Sequence, residues 1–401
     1  MARGSKDSRR LRLGMVGGGR GAFIGSIHAS AARMDDRFEI VAGCLSSDPA
    51  KAKASAGDWH IANERAYTSY EEMGLIEAGR EDGIDAVAIV TPNHTHYAIS
   101  KIFLKHGISV ICDKPLATSL RDSLDLVDIV TVGRPKFILT HAYSGYPMVR
   151  QARELVRGGE LGKIHTIHVE FIQDWLASPL DALGDKQALW RTDPVIAGPG
   201  GCIADIGTHA LHLARFVSHL EVTDVCARLR SIVPGRRLDD YGHALLKFSS
   251  GAEGTLTVSQ VSQGSGCGLS IRVSGDKGTL SWHQERPNEL IFGRGNGEVS
   301  VLHRRTDDGT WAANSSRLPR GISEGFVEAF ANIYSDAADL ILGGGFAIGD
   351  LPDVIDGAIG IEFVEAAVKS SSSGGTWIRL SNLRPRGPGT VAADQSTFIV
   401  S

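Results

Sequence analysis

The chain has 401 residues, of which 42% are hydrophobic and 22% are charged, and this length predicts two domains rather than one core. A net charge of -4 excludes the broad basic field of a nucleic-acid-binding protein, and the longest apolar runs are strand-sized, far short of a membrane span. The five cysteines include no CxxC pair, which argues against a disulfide framework and a zinc cluster. We therefore expect a cytoplasmic protein that binds no metal, no membrane and no nucleic acid.

From residue 11 to about residue 145, short apolar runs alternate with longer amphipathic stretches. The apolar runs are typical of strands buried on both faces, and they are Leu11–Val16, Phe38–Leu45, Asp85–Thr91, Ser109–Cys112 and Lys136–Tyr143. The stretches between them predict helices at Ala22–Met34, Asp48–Ala56, Ser69–Ala78, His96–His106 and Ser119–Val130. Because crossovers between parallel strands are right-handed, this alternation predicts a doubly wound parallel sheet.

After about residue 150 the pattern changes to strands whose residues alternate between apolar and polar. A helix is predicted at Val149–Arg157, and the alternating runs that follow it are Ile164–Phe171, Thr223–Val233, Tyr241–Phe248, Ala252–Ser259, Gly268–Ser274 and Thr279–Trp282. Turns that contain glycine separate several of these runs, which indicates a meandering, mostly antiparallel sheet. Helices are predicted at Gly207–Phe216, Phe326–Leu342 and Asp353–Lys369.

A glycine-rich turn follows the first predicted strand and opens the first predicted helix. Its sequence, Gly17-Gly18-Gly19-Arg20-Gly21-Ala22, fits G-x-G-x-x-A, in which the second glycine admits a pyrophosphate and the small third residue lets helix and strand pack closely. Such a turn can also serve chain reversal alone, but its strand–turn–helix context favours dinucleotide binding. The residues expected to contact the cofactor here are Gly17, Gly19, Arg20, Gly21, Ala22, Phe23 and Ile24.

These patterns together predict an α/β protein of two domains. An N-terminal Rossmann dinucleotide-binding domain is expected over residues 11–147, followed over residues 148–380 by an α+β domain with a large, mostly antiparallel open sheet. Residues 1–10 carry a cluster of basic side chains and residues 381–401 are rich in proline and glycine, so both are expected to be flexible tails.

The end of the second predicted strand bears on the choice between NAD and NADP. A carboxylate at this point usually binds the ribose hydroxyls of NAD, whereas this chain has Ser46-Ser47-Asp48-Pro49. The hydroxyls of Ser46 and Ser47, with Lys51 one turn further on, could receive a 2′-phosphate, and Asp48 is alternatively the cap of the next helix. Our hypothesis is that NADP is accepted at least as well as NAD.

Polar residues follow two further strands of the predicted parallel sheet. Thr91-Pro92-Asn93 and His96 come after one strand and Asp113-Lys114-Pro115 after another, at the sheet edge where such folds bind ligands. We expect Thr91, Pro92, Asn93, Asp113 and Lys114 to contact the cofactor, and His96 either to do so or to cap its helix. The proline following Lys114 favours an extended conformation there.

Two residues far along the chain complete a candidate catalytic group. Asp205 and His209 are four residues apart at the start of a predicted helix, so they share a face. Oxidation of a secondary alcohol needs a base for the hydroxyl proton, for which histidine is suited near neutral pH, and a cation such as Lys114 would stabilise the developing alkoxide. The alternative is a solvated surface lysine and a helix-capping or core histidine.

With these motifs, over roughly residues 11–380, the chain resembles the glucose–fructose oxidoreductase/inositol dehydrogenase/rhizopine catabolism (Gfo/Idh/MocA) family. Asp113-Lys114-Pro115 stands where that family has Glu-Lys-Pro. The resemblance implies that Lys114 contacts the reacting hydroxyl and the nicotinamide ribose, that His209 is the general acid/base, and that Asp205 binds substrate or orients His209. It also implies NAD or NADP as cofactor, and a homodimer or homotetramer formed through the open sheet.

The connection between Gln173 and Asp193 is long and rich in groups that bind hydroxylated rings. Besides Asp205 and His209, the candidate pocket residues are Tyr143, Lys186, Trp190 and Arg191. The alternative is a helical insert whose tryptophans pack a domain interface.

The predicted function is hydride transfer between the nicotinamide and a ring hydroxyl or ketone of a sugar, glycoside or inositol. Three alternatives stay open: reduction of a keto-sugar biosynthetic intermediate, a glycosidase that uses NAD transiently, and a catalytically silent dinucleotide-binding sensor. Retention of Lys114, Asp205 and His209 argues against the sensor.

Overall fold

Two β-sheets organise the chain, one of five strands and one of nine. The computed structural model describes residues 9–306, 310–344, 350–381 and 383. The tails predicted at 1–10 and 381–401 fall mostly outside these residues. Within the first of them, Arg9 and Arg10 are described and form ion pairs with Asp85 and Asp36, each at 2.6 Å.

The first sheet is parallel throughout and has the strand order β2-β1-β3-β4-β5. Its strands are β1 (Leu11–Gly17), β2 (Phe38–Cys44), β3 (Ala86–Val90), β4 (Ser109–Cys112) and β5 (Phe137–Leu139). The helices that connect them are α1 (Phe23–Met34), α2 (Pro49–Asp58), α3 (Tyr70–Gly79), α4 (His96–Lys105) and α5 (Leu120–Val132). The predicted doubly wound domain is confirmed, although β5 ends four residues early because a 3-10 turn begins at Ala142.

The second sheet has the order β13-β12-β11-β10-β6-β9-β8-β7-β14, and all of its pairs are antiparallel except β6 with β9. Helix α6 (Pro147–Arg157) precedes the strands β6 (Ile164–Gln173), β7 (Val222–Arg230), β8 (Tyr241–Phe248), β9 (Glu253–Ser259), β10 (Cys267–Gly275), β11 (Gly278–His283), β12 (Glu289–Arg294), β13 (Val299–His303) and β14 (Ile378–Arg379). The accompanying helices are α7 (Lys186–Thr192), α8 (Pro194–Ala197), α9 (Thr208–Ser218), α10 (Trp311–Asn314), α11 (Phe326–Ile341) and α12 (Val354–Ser372). The predicted open, mostly antiparallel sheet is confirmed.

One face of the nine-stranded sheet is buried and the other is open. Side chains of α6, α9 and α12 pack with the inward residues of β6 to β12 into one apolar core. The opposite face carries alternating exposed residues, including Leu245 on β8 and Ile291 on β12. No helix among the described residues combines the length and the apolarity needed to cross a membrane.

Helix α11 returns to the first sheet and connects the two halves of the molecule. Phe330 and Tyr334 of α11 belong to the same apolar cluster as Leu13 and Met15 of β1, and the Tyr334 hydroxyl lies 2.8 Å from Nδ1 of the buried His28. Helix α11, which follows the strands of the second sheet up to β13, is therefore packed on the first sheet and on α1. The domain boundaries at 11–147 and 148–380 stay a prediction.

Candidate active site

The glycine turn between β1 and α1 has the backbone geometry that a dinucleotide requires. Gly17 has φ +86°, a conformation that favours glycine. The backbone N–H of Gly19 donates to the Leu45 carbonyl at 3.2 Å, which draws the turn against the end of β2. A Cβ on Gly25 would lie 2.3 Å from the Cα of Gly18. The close packing expected at Ala22 therefore occurs one turn later, at Gly25, and Ala22 is the residue that precedes α1.

The N-terminus of α1 is open to a negatively charged group. Ala22 has no side-chain acceptor for the first N–H groups of the helix, Arg20 and Gly21 are exposed, and Phe23 is 69% exposed. Unsatisfied N–H groups at a helix start favour a phosphate, so these residues fit the pyrophosphate of a dinucleotide. The Arg20 guanidinium pairs with Asp58 of α2 at 2.6 Å, and Ile24 packs against the first sheet's core.

The end of β2 is arranged as a helix cap. Oδ1 of Asp48 accepts from the backbone N–H of Lys51 at 2.9 Å, and Pro49 occupies the first turn of α2, which confirms the capping alternative for Asp48. The hydroxyl of Ser46 accepts from the Asp48 N–H at 3.1 Å, and Ser47 is exposed. The Asp48 carboxylate is thus directed to the helix, and the serine hydroxyls are the polar groups left at the strand end.

His96 connects the two strand ends that precede the crevice. Its ring is fully buried, with Nδ1 2.7 Å from the Pro115 carbonyl oxygen and Nε2 2.9 Å from the Thr91 carbonyl oxygen. The side chain therefore does not cap α4, and its predicted contact with the cofactor stays a prediction. Of its neighbours, Pro92 is exposed and Asn93 is buried.

Asp113 is an ionised carboxylate that fixes the backbone next to Lys114. Its Oδ1 accepts from the Lys114 N–H at 3.0 Å and from the Thr140 hydroxyl at 3.1 Å. Burial raises the pKa of Asp113, but the facing His28 ring and then the Lys114 charge outweigh that effect and lower the pKa to about 2. The carboxylate thus holds the start of the Lys114-Pro115 segment, whose peptide bond is cis.

Lys114 reaches from the first sheet to the second half of the molecule. Its Nζ donates to the backbone carbonyl oxygen of Asp205 at 2.6 Å and to Oδ1 of the same residue at 2.7 Å. Asp205 lies in a single π-helical turn, Ile203–Gly207, that runs directly into α9, and His209 is the second residue of α9. The convergence of Lys114 with the Asp205 and His209 turn, which the sequence predicted across 91 positions, is therefore present.

The Asp205 carboxylate is surrounded by two cationic side chains and an amide. Besides Lys114, the Gln260 amide donates to Oδ2 at 2.8 Å, and the Arg191 Nε lies 3.4 Å from the same oxygen. Burial raises the pKa of Asp205, but the charges of Lys114 and Arg191 dominate and hold it far below the usual carboxyl range. In the described part of the chain, the hydrogen bonds of this carboxylate run to Lys114 and Gln260 and not to His209, so it does not orient His209 directly.

His209 sits in an aromatic pocket beside this cluster. The rings of Tyr143 and Phe171 meet it edge-on with centroids 5.0 and 6.2 Å away, and His141 approaches from the end of β5. Burial first, and then the Lys114 charge, lower the pKa of His209 well below its ordinary value of 6.5, although Asp205 opposes the effect. The imidazole is therefore neutral at pH 7, which suits a proton acceptor.

The predicted pocket residues separate into three that reach the site and one that does not. Tyr143 contacts His209 directly, and Arg191 reaches Asp205. Trp190 contacts Arg191 rather than Asp205 or His209: the Arg191 guanidinium carbon lies 4.0 Å from the centre of the indole ring. Lys186 is exposed at the start of α7, and no contact within the described residues connects it to the others.

Sequence reasoning missed Gln260 as a partner of Asp205 and His141 as a partner of His209. Gln260 directly follows β9, and its backbone carbonyl also accepts from Leu176 at 3.0 Å. His141 follows β5 at the same sheet edge as Lys114, and this position is the one signal that could have identified it.

The parallel sheet, its glycine turn and the Lys114 cluster define a dinucleotide-binding oxidoreductase, and comparison with known proteins identifies its family. Residues 11–141 match the family described as "Oxidoreductase family, NAD-binding Rossmann fold". Residues 149–281 match the "GFO/IDH/MocA C-terminal domain". The chain belongs to the Gfo/Idh/MocA family, as its motifs indicated, and its first domain is an NAD-binding Rossmann domain.

Three relatives show how far the likeness extends. An uncharacterized oxidoreductase of Bacillus subtilis, YfiI, is 31% identical over 382 residues, which cover 92% of this chain and 97% of the relative. The crystal structure of an oxidoreductase from Sinorhizobium meliloti is 44% identical with a TM-score of 0.83, covering 92% of this chain and 100% of that one. An inositol dehydrogenase homolog from Azotobacter vinelandii, solved with NADH and myo-inositol, is 33% identical with a TM-score of 0.84. The match covers 93% of this chain and 98% of that one.

Proposed function

We propose that the protein is an NAD(P)-dependent dehydrogenase acting on a ring hydroxyl of a sugar, glycoside or inositol. The observation that carries this proposal is the pairing of Lys114 Nζ with the Asp205 carboxylate at 2.7 Å, four residues before His209 and at the carboxyl edge of the NAD-binding sheet. The relative solved with NADH and myo-inositol supports the substrate class, because it covers nearly the whole chain.

The chain's own residues would handle the proton of the alcohol. The neutral His209 imidazole accepts the hydroxyl proton, while the Lys114 ammonium stabilises the negative charge that develops on the oxygen. Asp205 holds the ammonium in place through two hydrogen bonds, at 2.6 and 2.7 Å. A bound nicotinamide would supply the hydride acceptor for the carbon that carries this hydroxyl. The same groups serve the reverse direction, so a keto-sugar reductase uses this site equally well.

The cofactor is proposed to lie along the carboxyl edge of β1 to β4. Its diphosphate would face the start of α1, whose N–H groups are open, and its adenosine ribose would face the end of β2. The residues proposed to contact it are Gly17, Gly19, Arg20, Gly21, Ala22, Phe23, Ile24, Ser46, Ser47, Lys51, Thr91, Pro92, Asn93, His96, Asp113 and Lys114.

Turnover of a panel of inositols, pyranoses and glycosides with NAD and with NADP, followed by the absorbance of the reduced cofactor, tests the proposal. Accumulation of reduced cofactor with at least one ring alcohol is the expected result. Cofactor binding without any turnover would favour the silent sensor. Release of aglycone without lasting reduced cofactor would favour the glycosidase.

The polar end of β2 predicts that kcat/KM with NADP at least equals kcat/KM with NAD. The hydroxyls of Ser46 and Ser47 can receive a 2′-phosphate, whereas the Asp48 carboxylate is directed to its own helix. Ser47→Asp should lower kcat/KM with NADP about tenfold through repulsion of the phosphate and leave the value with NAD nearly unchanged. A strong preference of the wild-type enzyme for NAD would contradict the hypothesis.

Trp190 is expected to contribute to substrate binding through Arg191. Trp190→Ala removes the ring 4.0 Å from the Arg191 guanidinium carbon, and with it the support that aims Arg191 at the site. The expected result is a KM for the ring alcohol about tenfold higher, with the KM for cofactor unchanged. Trp377→Ala is the matched control, because Trp377 stacks on Lys247 of β8 instead. Equal increases in both KM values would refute the role.

We also infer a homodimer or homotetramer that covers the open face of the second sheet. Exposed apolar side chains on β8, β12 and β13 of that face support this inference; they are Leu245, Ile291, Val299 and Val301. The cytoplasmic location expected from the sequence stays a prediction.

A further inference from the structure

His209 needs a partner other than Asp205. A catalytic imidazole is held in one tautomer by the group that faces its second nitrogen. Here Oδ1 of Asp205 is bound by Lys114, and Oδ2 is bound by Gln260 and approached by Arg191. The carboxylate is therefore committed to holding the ammonium.

The group that faces His209 is the imidazole of His141. Nδ1 of His141 lies 3.5 Å from Nδ1 of His209, with the two rings nearly perpendicular at 82°. His141 lies between β5 of the first sheet and the 3-10 turn that follows it, and His209 is the second residue of α9, so this contact crosses between the two halves of the molecule.

The His141 ring is held rigidly in that position. It is 2% exposed and lies parallel to His212, with ring centroids 4.2 Å apart and an interplanar angle of 4°. His212 stacks in turn on Phe216 of the same helix. The backbone carbonyl of His141 accepts from both the N–H and the hydroxyl of Ser144, at 3.1 and 2.8 Å. These contacts fix the plane of the His141 ring beside His209.

We propose that His141 is a positioning residue that accepts a hydrogen bond from Nδ1–H of His209 and so leaves the Nε2 lone pair of His209 for the reacting hydroxyl. Two facing Nδ1 atoms form a hydrogen bond when one carries the proton and the other does not. With the proton on His209, its Nε2 is the free base. When Nε2 takes the substrate proton, Nδ1–H remains in place, and its bond to His141 becomes charge-assisted. The inference rests on the proposed dehydrogenase function.

Burial and the neighbouring groups keep His141 neutral, as the proposal requires. Burial, followed by the neighbouring His212 and His209, lowers the pKa of His141 well below its ordinary value. The charged and titratable groups that face the two imidazoles from the elements packed against them are Asp113, Lys114, Tyr143, Asp205, His212 and Arg215. At neutral pH His141 is therefore uncharged, and in its Nε2–H tautomer its Nδ1 can accept the hydrogen bond from His209.

Substitution of His141 tests the proposal through both rate and pH profile. His141→Leu keeps most of the side-chain volume and removes the hydrogen-bond acceptor. His141→Asn introduces an amide oxygen in the place of Nδ1, so its kcat should be close to that of the wild type. For His141→Leu we expect kcat to fall about 100-fold, with KM for the ring alcohol unchanged. Because the bond favours the protonated form of His209, its loss should also move the acid limb of kcat about one pH unit lower. His106→Leu, an exposed histidine at the end of α4, is the matched control.

Nitrogen NMR of the imidazoles in the holoenzyme gives a readout that does not depend on turnover. Wild-type His209 should be in the Nδ1–H tautomer, and His141→Leu should lose that preference while His141→Asn retains it. An Nε2–H tautomer in the wild-type protein would overturn the inference, even if turnover is found. The inference would also be overturned if His141→Leu kept the wild-type kcat and pH profile. It would equally be overturned if the Leu and Asn variants lost the same fraction of kcat while the acid limb of kcat stayed in place. Absence of turnover in the wild type, with the Nδ1–H tautomer present, would instead contradict the dehydrogenase proposal alone.

Discussion

Replacing Lys114 with methionine should lower kcat by about 10³-fold and weaken cofactor binding far less, by about tenfold at most. Methionine keeps most of the length and packing of the side chain but removes the cation that would stabilise the developing alkoxide. It also removes the ammonium that lies 2.7 Å from the Asp205 carboxylate, so the pKa of Asp205 should rise towards its ordinary value. Steady-state kcat at saturating cofactor measures the effect on the rate, and a separate titration measures the effect on cofactor binding.

Lys136→Met is the matched control, because Lys136 is an exposed lysine that directly precedes β5 and lies outside the site. It should keep the wild-type kcat and cofactor affinity. If Lys114→Met retained a wild-type kcat while its cofactor affinity was also normal, the ammonium would have no part in the chemistry, and the surface-lysine interpretation of Lys114 would be correct.

Replacing His209 with glutamine should lower kcat by about 10²- to 10⁴-fold, because an amide cannot take the proton of the alcohol. The pH dependence of the wild-type rate should show which protonation state of His209 each direction of the reaction requires. Oxidation requires the neutral imidazole, and burial and the Lys114 charge lower the pKa of His209 below 6.5. The rate of oxidation should therefore stay level as the pH falls through 6.5 and decline only at lower pH, whereas the rate of reduction should increase in that lower range. Measurement of kcat against pH in both directions tests this.

In the glutamine variant the acid limb should be absent from the residual rate, and the exposed-site variant His106→Gln should reproduce the wild-type curve. A wild-type limb centred at or above pH 6.5 would show that His209 is more easily protonated than its buried position beside Lys114 allows. If the same limb persisted in the glutamine variant, the base would have to be another group.

The order of strands and helices was predictable because each half of the chain has its own hydrophobic period. The continuous apolar run Ala86–Val90 specifies a strand buried on both faces, and the alternation in Tyr241–Phe248 specifies one buried on a single face. The strands β12 to β14 escaped prediction because they are short and lie towards the sheet edges, where β13 has little burial to impose a pattern.

The site was predictable as far as sheet topology determines it. Carboxyl ends of parallel strands share one edge, which brings Lys114 near the crevice without knowledge of the second half of the chain. The partners of Asp205 and His209 were not predictable in this way, because Gln260 and His141 lie 55 and 68 residues from them and meet them through the packing of separate elements. The bridging position of His96 was not predictable for the same reason, since its two carbonyl partners follow different strands.

The convergence of an ammonium and an imidazole on one alcohol is tested most directly by a crystal structure with reduced cofactor and the best ring alcohol from the turnover panel. Lys114 Nζ and His209 Nε2 should both lie within about 3.2 Å of a single hydroxyl oxygen, whose carbon faces the nicotinamide ring. Binding of the two side chains to different hydroxyls, or a substrate seated away from either one, would contradict the proposed chemistry.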